Sequence, residues 1–105
     1  MTEQALYILA SLAREERHGY GIARDAEELS GGRVRLTAGT LYGALNRLAA
    51  DGLVEEAGER EVQGRRRRYY RITAAGSAAL AEEVERLRST AAVLGARVRT
   101  RTAPA

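Results

Sequence analysis

Apolar residues recur at three- and four-residue intervals in four stretches of the chain, which is the period of amphipathic helices. In residues 3–14, Leu6, Leu9, Ala10 and Ala13 mark one stripe, widened by Ile8 and Leu12, and predict a first helix. Glu15, Glu16 and Arg17 then connect to His18-Gly19-Tyr20-Gly21, where a second helix begins and runs to Leu29. Ile22, Ala26 and Leu29 share its apolar side, while Arg24, Asp25, Glu27 and Glu28 cover the other. Ser30-Gly31-Gly32 ends it, as glycine does just past a helix. Arg33-Val34-Arg35-Leu36 alternates and predicts a short strand. Thr37 is a good N-cap for a third helix over residues 38–51, with Leu41, Leu45 and Leu48 as its buried seam. Asp51-Gly52 closes that helix. A strand is expected over residues 53–57, a long charged loop over 58–67, and a return strand over 68–72 with Tyr70 and Ile72 on one face. Thr73 caps a fourth helix that reaches Leu94 or beyond, and residues 100–105 are expected to form a flexible tail.

Three helices followed by a two-stranded ribbon define a winged helix-turn-helix, so the expected fold is mainly α with a small β-hairpin and a long C-terminal helix. The expected organisation is a winged-helix DNA-binding domain at residues 1–73, a dimerisation helix at 74–99 and the tail. In such a fold the third helix is the one placed to enter a major groove, and the hairpin is the wing.

Composition sharpens this picture. The 105 residues fit one domain, and 45% hydrophobic with 30% charged residues describe a globular chain. No apolar run is long enough to span a bilayer, so no membrane partner is expected. The start, Met1-Thr2-Glu3-Gln4, carries no basic and apolar leader, and the cytoplasm is the expected compartment. The absence of Cys rules out disulfides, thiolate metal sites and cysteine nucleophiles. All 17 basic residues are Arg, against 14 acids, for a net charge of only +3. The distribution is uneven: six Arg and one acid, Glu61, fall between Arg60 and Arg71. Arg suits bidentate contacts to phosphate and guanine.

The face of the third helix opposite its leucines is small and polar, with Gly39, Gly43, Asn46, Arg47 and Ala50. A mid-helix glycine costs about 1 kcal/mol against alanine, and close approach of a groove wall is one reason to keep Gly43. Asn46 can pair with adenine and Arg47 with guanine or phosphate. Thr37, Thr40 and Tyr42 flank the helix start, where hydroxyls and free N–H groups suit phosphate oxygens. A solvated face that happens to be small has the same pattern in isolation. The Arg65-Arg66-Arg67-Arg68 run shifts the balance. In a strand at most half of that run points one way, whereas in a loop all of it can follow a phosphate backbone. Tyr69 can stack or donate to phosphate, and Tyr70 is the better core candidate.

Along the last helix Leu80, Val84, Leu87, Ala91, Leu94 and Val98 step by 4, 3, 4, 3, 4, a heptad seam. The first three helices already supply a core, so this seam is expected to make a homodimer, with some packing on the chain's own first helix. A symmetric dimer calls for a palindromic operator with half-sites about 10 base pairs apart.

Three stretches together resemble the PadR-like family of winged-helix transcriptional regulators. They are His18-Gly19-Tyr20-Gly21-Ile22; Thr37 through Leu48 (TAGTLYGALNRL) followed by Asp51-Gly52-Leu53-Val54; and Gly64 through Thr73 (GRRRRYYRIT) followed by Ala75-Gly76. The resemblance implies a cytoplasmic homodimer, usually a repressor, bound to double-stranded DNA and released by a small-molecule effector, often aromatic. It implies DNA contacts at Thr37, Thr40, Tyr42, Arg47 and the wing arginines, with His18 and Tyr20 near backbone phosphate. This chain has no Trp and no Phe, so an aromatic sandwich for a flat effector cannot be built from those residues. The alternative function is a winged-helix protein-interaction module without specific DNA binding, for which a net charge of +3 leaves room. An enzyme is disfavoured: His18 is the single histidine, no nucleophile–base set assembles around it, and no phosphate loop, metal-ligand set or cofactor motif is present.

Overall fold

A computed structural model describes residues 1–102, with side chains through Thr100. The helices are α1 (Glu3–Ser11), α2 (Gly19–Leu29), α3 (Ala38–Ala50) and α4 (Ala74–Thr102), and the strands are β1 (Arg17–His18), β2 (Val54–Val62) and β3 (Arg65–Ile72). The strands form one antiparallel sheet in the order β1-β3-β2. The expected architecture is present, with one strand gained, one expected strand absent and several bounds moved.

Helix α1 starts where the Thr2 side chain accepts from the Ala5 amide at 3.0 Å. It ends at Ser11, three residues before the expected end. The amides of Leu12 and Ala13 reach back only three residues, to Leu9 and Ala10, and so tighten the last turn. The Ser11 carbonyl instead accepts from Arg17 Nε at 2.7 Å. The buried stripe is Ile8, Leu9 and Leu12, while Ala13 is exposed.

Arg17 and His18, expected as connection, pair with Tyr70 and Tyr69 as β1. Conversely, the strand expected over residues 33–36 is absent. The Val34 amide donates to Ser30 Oγ at 2.8 Å, and both edges of β3 are already taken by β1 and β2. The alternation there is real but serves another end: buried Val34 and half-buried Leu36 pin an extended connection to the body. In α2, Ile22 and Ala26 are buried, whereas Leu29 at the helix end projects past the core and is exposed.

The hairpin differs most from expectation. Residues 58–67 are not a loop: β2 and β3 pair through Val62↔Arg65. The turn is only Gln63-Gly64, with φ of 51° and 77°. Two consecutive positive φ values make the tight connection that matches strand twist. The register places Glu55, Glu59 and Glu61 opposite Arg71, Arg68 and Arg66, which offsets the one like-charged pair, Arg60 opposite Arg67. An irregularity between Glu56 and Glu59 includes Gly58 at φ 90° and bends the ribbon.

Ile8, Leu9, Leu12, Ile22, Leu41, Leu45, Leu48, Val54 and Tyr70 form the core, each Leu or Ile contributing about 1.5–3 kcal/mol through burial. Helix α4 touches it through Leu80 and then runs on, which makes the molecule 65 Å long. The first residues of the expected tail, 100–102, are helical; 103–105 lie outside the described residues. Among the described residues no helix is long and apolar enough to cross a membrane.

Candidate nucleic-acid interface

Leu41, Ala44, Leu45 and Leu48 anchor α3, which fixes its opposite face outward. Thr37 Oγ1 accepts from the Thr40 amide at 3.3 Å, and the two hydroxyls lie 3.1 Å apart. Gly39, Thr40, Asn46, Arg47 and Ala50 are exposed. A Cβ on Gly39 would meet nothing within 4 Å, and one on Gly43 only Arg47 Nη1 at 3.7 Å. Nothing inside the chain therefore requires glycine at either position. Gly43→Ala is expected to raise stability by about 0.5–1 kcal/mol in denaturant melts, because the helix gains and no neighbour objects. Gly43→Leu is expected to fold and to weaken DNA binding at least tenfold, read by anisotropy.

Tyr42 has two environments. It is 43% exposed, yet its hydroxyl sits 2.5 Å from where a Gly19 Cβ would be. Gly19 thus makes room for the phenol tip and ties α3 to the start of α2. Tyr42 also borders a groove shared with Glu59, Arg66 and Arg68. This role of Gly19 depends on how α3 docks against α2, and local pattern does not reveal it.

His18 caps α2: its Nδ1 accepts from the Gly21 amide at 3.2 Å. The ring lies nearly parallel to Tyr20, with centroids 6.4 Å apart, and meets the Tyr69 ring edge-on at 5.4 Å. Burial, with the Arg67 charge second, holds its pKa below the ordinary 6.5. A histidine lowered in the folded state contributes stability that is complete above pH 6.5 and is lost as pH falls from there through the lowered folded value. Melting temperature should therefore drop on acidification across that window. His18→Asn keeps a good cap that does not titrate, and should remove this component of the pH profile.

The strand alternation of β3 divides the arginine run. Arg66 and Arg68 share the Tyr42 side and are paired, with Glu59 at 3.3 Å and Glu56 at 3.3 Å. Arg60 pairs with Glu16 and lies over the Tyr69 ring at 4.1 Å; Arg71 binds Glu55 at 2.8 Å and Glu16 at 3.3 Å. The two guanidinium groups hold the Glu16 carboxyl below its usual range. Among the described residues, Arg65 and Arg67 have no carboxylate within ion-pair distance. They line a cleft of about 590 Å³ with His18, Tyr20 and Arg24, and two acids, Asp25 and Glu28, lie on its α2 wall. Arg67 Nε is enclosed without a hydrogen-bond partner.

A second recess shares Tyr20 and Arg24 with this cleft and continues to Arg35 and Thr37. One surface thus runs from the wing tip, past the start of α2, to the N-cap of α3. Arg24 and Arg35 are cations on it that the sequence reading did not select. Arg24 lies four residues after Tyr20 on the same helix face, with its guanidinium 5.9 Å from the ring centre. Among the described residues no three His, Asp or Glu side chains converge as a metal site.

A helix-turn-helix body with a hairpin beside its third helix and a long terminal helix is a winged-helix architecture. The family model for the transcriptional regulator PadR-like family matches residues 8–82, and the chain belongs to that family of transcriptional regulators, which are not enzymes. It is 45% identical over 96 residues to the transcriptional regulator Rv3488 of Mycobacterium tuberculosis, covering 90% of this chain and 86% of that protein. A PadR family transcription regulator from Clostridium difficile has the same fold, with a TM-score of 0.78 at 24% identity, covering 92% of this chain and 99% of the other. Bacillus subtilis PadR, solved in complex with operator DNA, aligns with a TM-score of 0.65 at 21% identity over 76% of this chain and 45% of that one.

Proposed function

We propose that the chain is a cytoplasmic, sequence-specific DNA-binding repressor that acts as a homodimer on a palindromic operator and is released by a small-molecule effector. The observation that carries the DNA reading is the open, glycine-bearing face of α3, reached from the wing by one surface that runs from Arg65 and Arg67 past Tyr20 and Arg24 to Thr37. Asn46 and Arg47 read base edges, while Thr37, Thr40, Tyr20, Arg24, Arg65 and Arg67 lie along phosphate. Arg66, Arg68 and Tyr69 act mainly within the protein, and His18 acts as a cap. That Bacillus subtilis PadR, which shares the fold, was solved in complex with operator DNA supports DNA as the partner. Support for the homodimer comes from the seam on α4, where Val84, Leu87, Leu94 and Val98 are exposed.

The test is a footprint on the DNA immediately upstream of the protein's own gene, with affinity measured against random DNA across salt. A protected palindrome with half-sites about one helical turn apart is expected. Equal affinity for random DNA would leave a protein-interaction module as the better reading.

A further inference from the structure

One buried contact stands apart from the interface just described. A Cβ built on Gly76, in the first turn of α4, would lie 2.0 Å from the Leu53 carbonyl oxygen, 2.7 Å from Ile72 Cγ1 and 3.0 Å from the Leu53 carbonyl carbon. Helix backbone here rests directly on loop backbone. That loop is the exit of α3: the Leu53 amide donates to the Leu48 carbonyl at 2.9 Å and the Gly52 amide to Ala49 at 3.0 Å. Thr73 fastens the same place from the other side. Its amide donates to the Leu53 carbonyl at 3.0 Å, its hydroxyl donates to the Gly52 carbonyl at 2.6 Å, and its Oγ1 accepts from the Gly76 amide at 3.0 Å. Two consecutive carbonyls at the end of α3 are thus bonded to the cap of α4.

We infer that Gly76 is a positioning residue: its missing side chain sets the direction of α4 relative to α3, and through it the half-site spacing that the dimer reads. This rests on the reading of α4 as the dimer helix. The joint is small but the arm is long. Leu80, the next contact with the core, is ~6 Å along the helix from Gly76, and Leu94 is ~21 Å beyond that. A methyl group must retreat about 1 Å from the Leu53 oxygen to reach the 3.0 Å closest approach of real Cβ atoms. Pivoting on Leu80, that retreat turns the helix by roughly 10° and displaces Leu94 by about 3–4 Å. With the seams of two protomers held together, the DNA-binding bodies swing instead. One base pair rises ~3.4 Å, so the change is on the order of one base pair per protomer.

The experiment compares wild type, Gly76→Ala, Thr73→Val and, as a control one residue along the same turn, Ser77→Ala. Dimerisation is read by sedimentation, and affinity is measured on a single half-site and on palindromes whose centre is lengthened or shortened by one and two base pairs. Gly76→Ala is expected to stay dimeric, to bind the half-site within twofold of wild type, and to lose at least tenfold on the natural spacing while gaining on a shifted one. Thr73→Val, which loosens the joint without a clash, is expected to flatten the spacing preference, and it carries the test should Gly76→Ala not fold. Ser77→Ala should match wild type. Unchanged spacing preference in Gly76→Ala or, where that variant does not fold, in Thr73→Val overturns the inference while leaving the dimer reading intact. A monomeric wild type overturns both.

Discussion

Replacing Arg65 and Arg67 by Ala should cost roughly a hundredfold in operator affinity, whereas replacing Arg66 and Arg68 should cost far less. Both double variants lose the same two positive charges, so any long-range field changes equally and the comparison isolates contact. Arg65 and Arg67 face the cleft beside Tyr20 and Arg24; Asp25 and Glu28 lie on its α2 wall, and among the described residues no carboxylate is within ion-pair distance of either arginine. A phosphate oxygen there gains a charge-assisted hydrogen bond of about 1.5 kcal/mol at the low end, and two such bonds give the hundredfold figure. Arg66 and Arg68 must first leave Glu59 and Glu56. These pairs are exposed and contribute at most about 1 kcal/mol each, but the acids remain beside any phosphate that replaces them. The salt dependence separates the two cases further. Each phosphate contact contributes about −0.9 to the slope of log K against log salt, so the first variant should be shallower by about 1.8 and the second by less than half of that. Anisotropy titrations of one operator fragment between low and moderate salt give both numbers. Equal losses in the two variants would mean that the strand faces do not divide the wing's work.

Most of the helical frame could be read from local pattern, because helix burial repeats every few residues and is written in the segment itself. Leu41, Leu45 and Leu48 were identifiable as one buried stripe, and Thr37 and Thr73 as caps, for this reason. Pairing between distant segments was not legible in the same way. Nothing in Arg17-His18 marks a strand; it is one because the edge of β3 beside Tyr69 and Tyr70 is open to it. Likewise residues 58–67 look like a solvated loop when read singly, since Glu and Arg dominate. Their order emerges only when Glu59 is set against Arg68 and Glu61 against Arg66. Gly64 was the available clue, since glycine suits a positive φ in a two-residue turn, while Gln63 beside it adopts φ 51° without that preference. The consequence for the interface is direct. A loop would let all four arginines follow a backbone, whereas a strand commits two of them to each side. The role of Arg24 is not legible in sequence for a related reason: its place between the wing cleft and Thr37 depends on how α2 docks, and not on its own helix.

Leu87→Glu combined with Leu94→Glu should turn the proposed dimer into a monomer with an intact winged body. Both side chains lie on the exposed seam of α4, 43% and 59% accessible, and neither belongs to the core cluster. Glu is a good helix former, so α4 itself should persist. Across a twofold axis, however, each substitution sets carboxylates against one another in a surface meant to exclude water, where unpaired charge is strongly unfavourable. The melting transition of the body should be close to that of monomeric wild type at high dilution, since Ile8, Leu45, Val54 and Tyr70 are untouched. Binding to a palindrome should fall by about 10²–10⁴-fold, to the level of a single half-site, because the second half-site no longer arrives at high effective concentration. Sedimentation equilibrium and titration of full and half operators check the two halves of this expectation. A variant that remained dimeric would move the subunit contact off the Leu80-to-Val98 seam and onto another surface, the recess between α1 and α3 lined by Met1, Ala5 and Leu48 being the next apolar one.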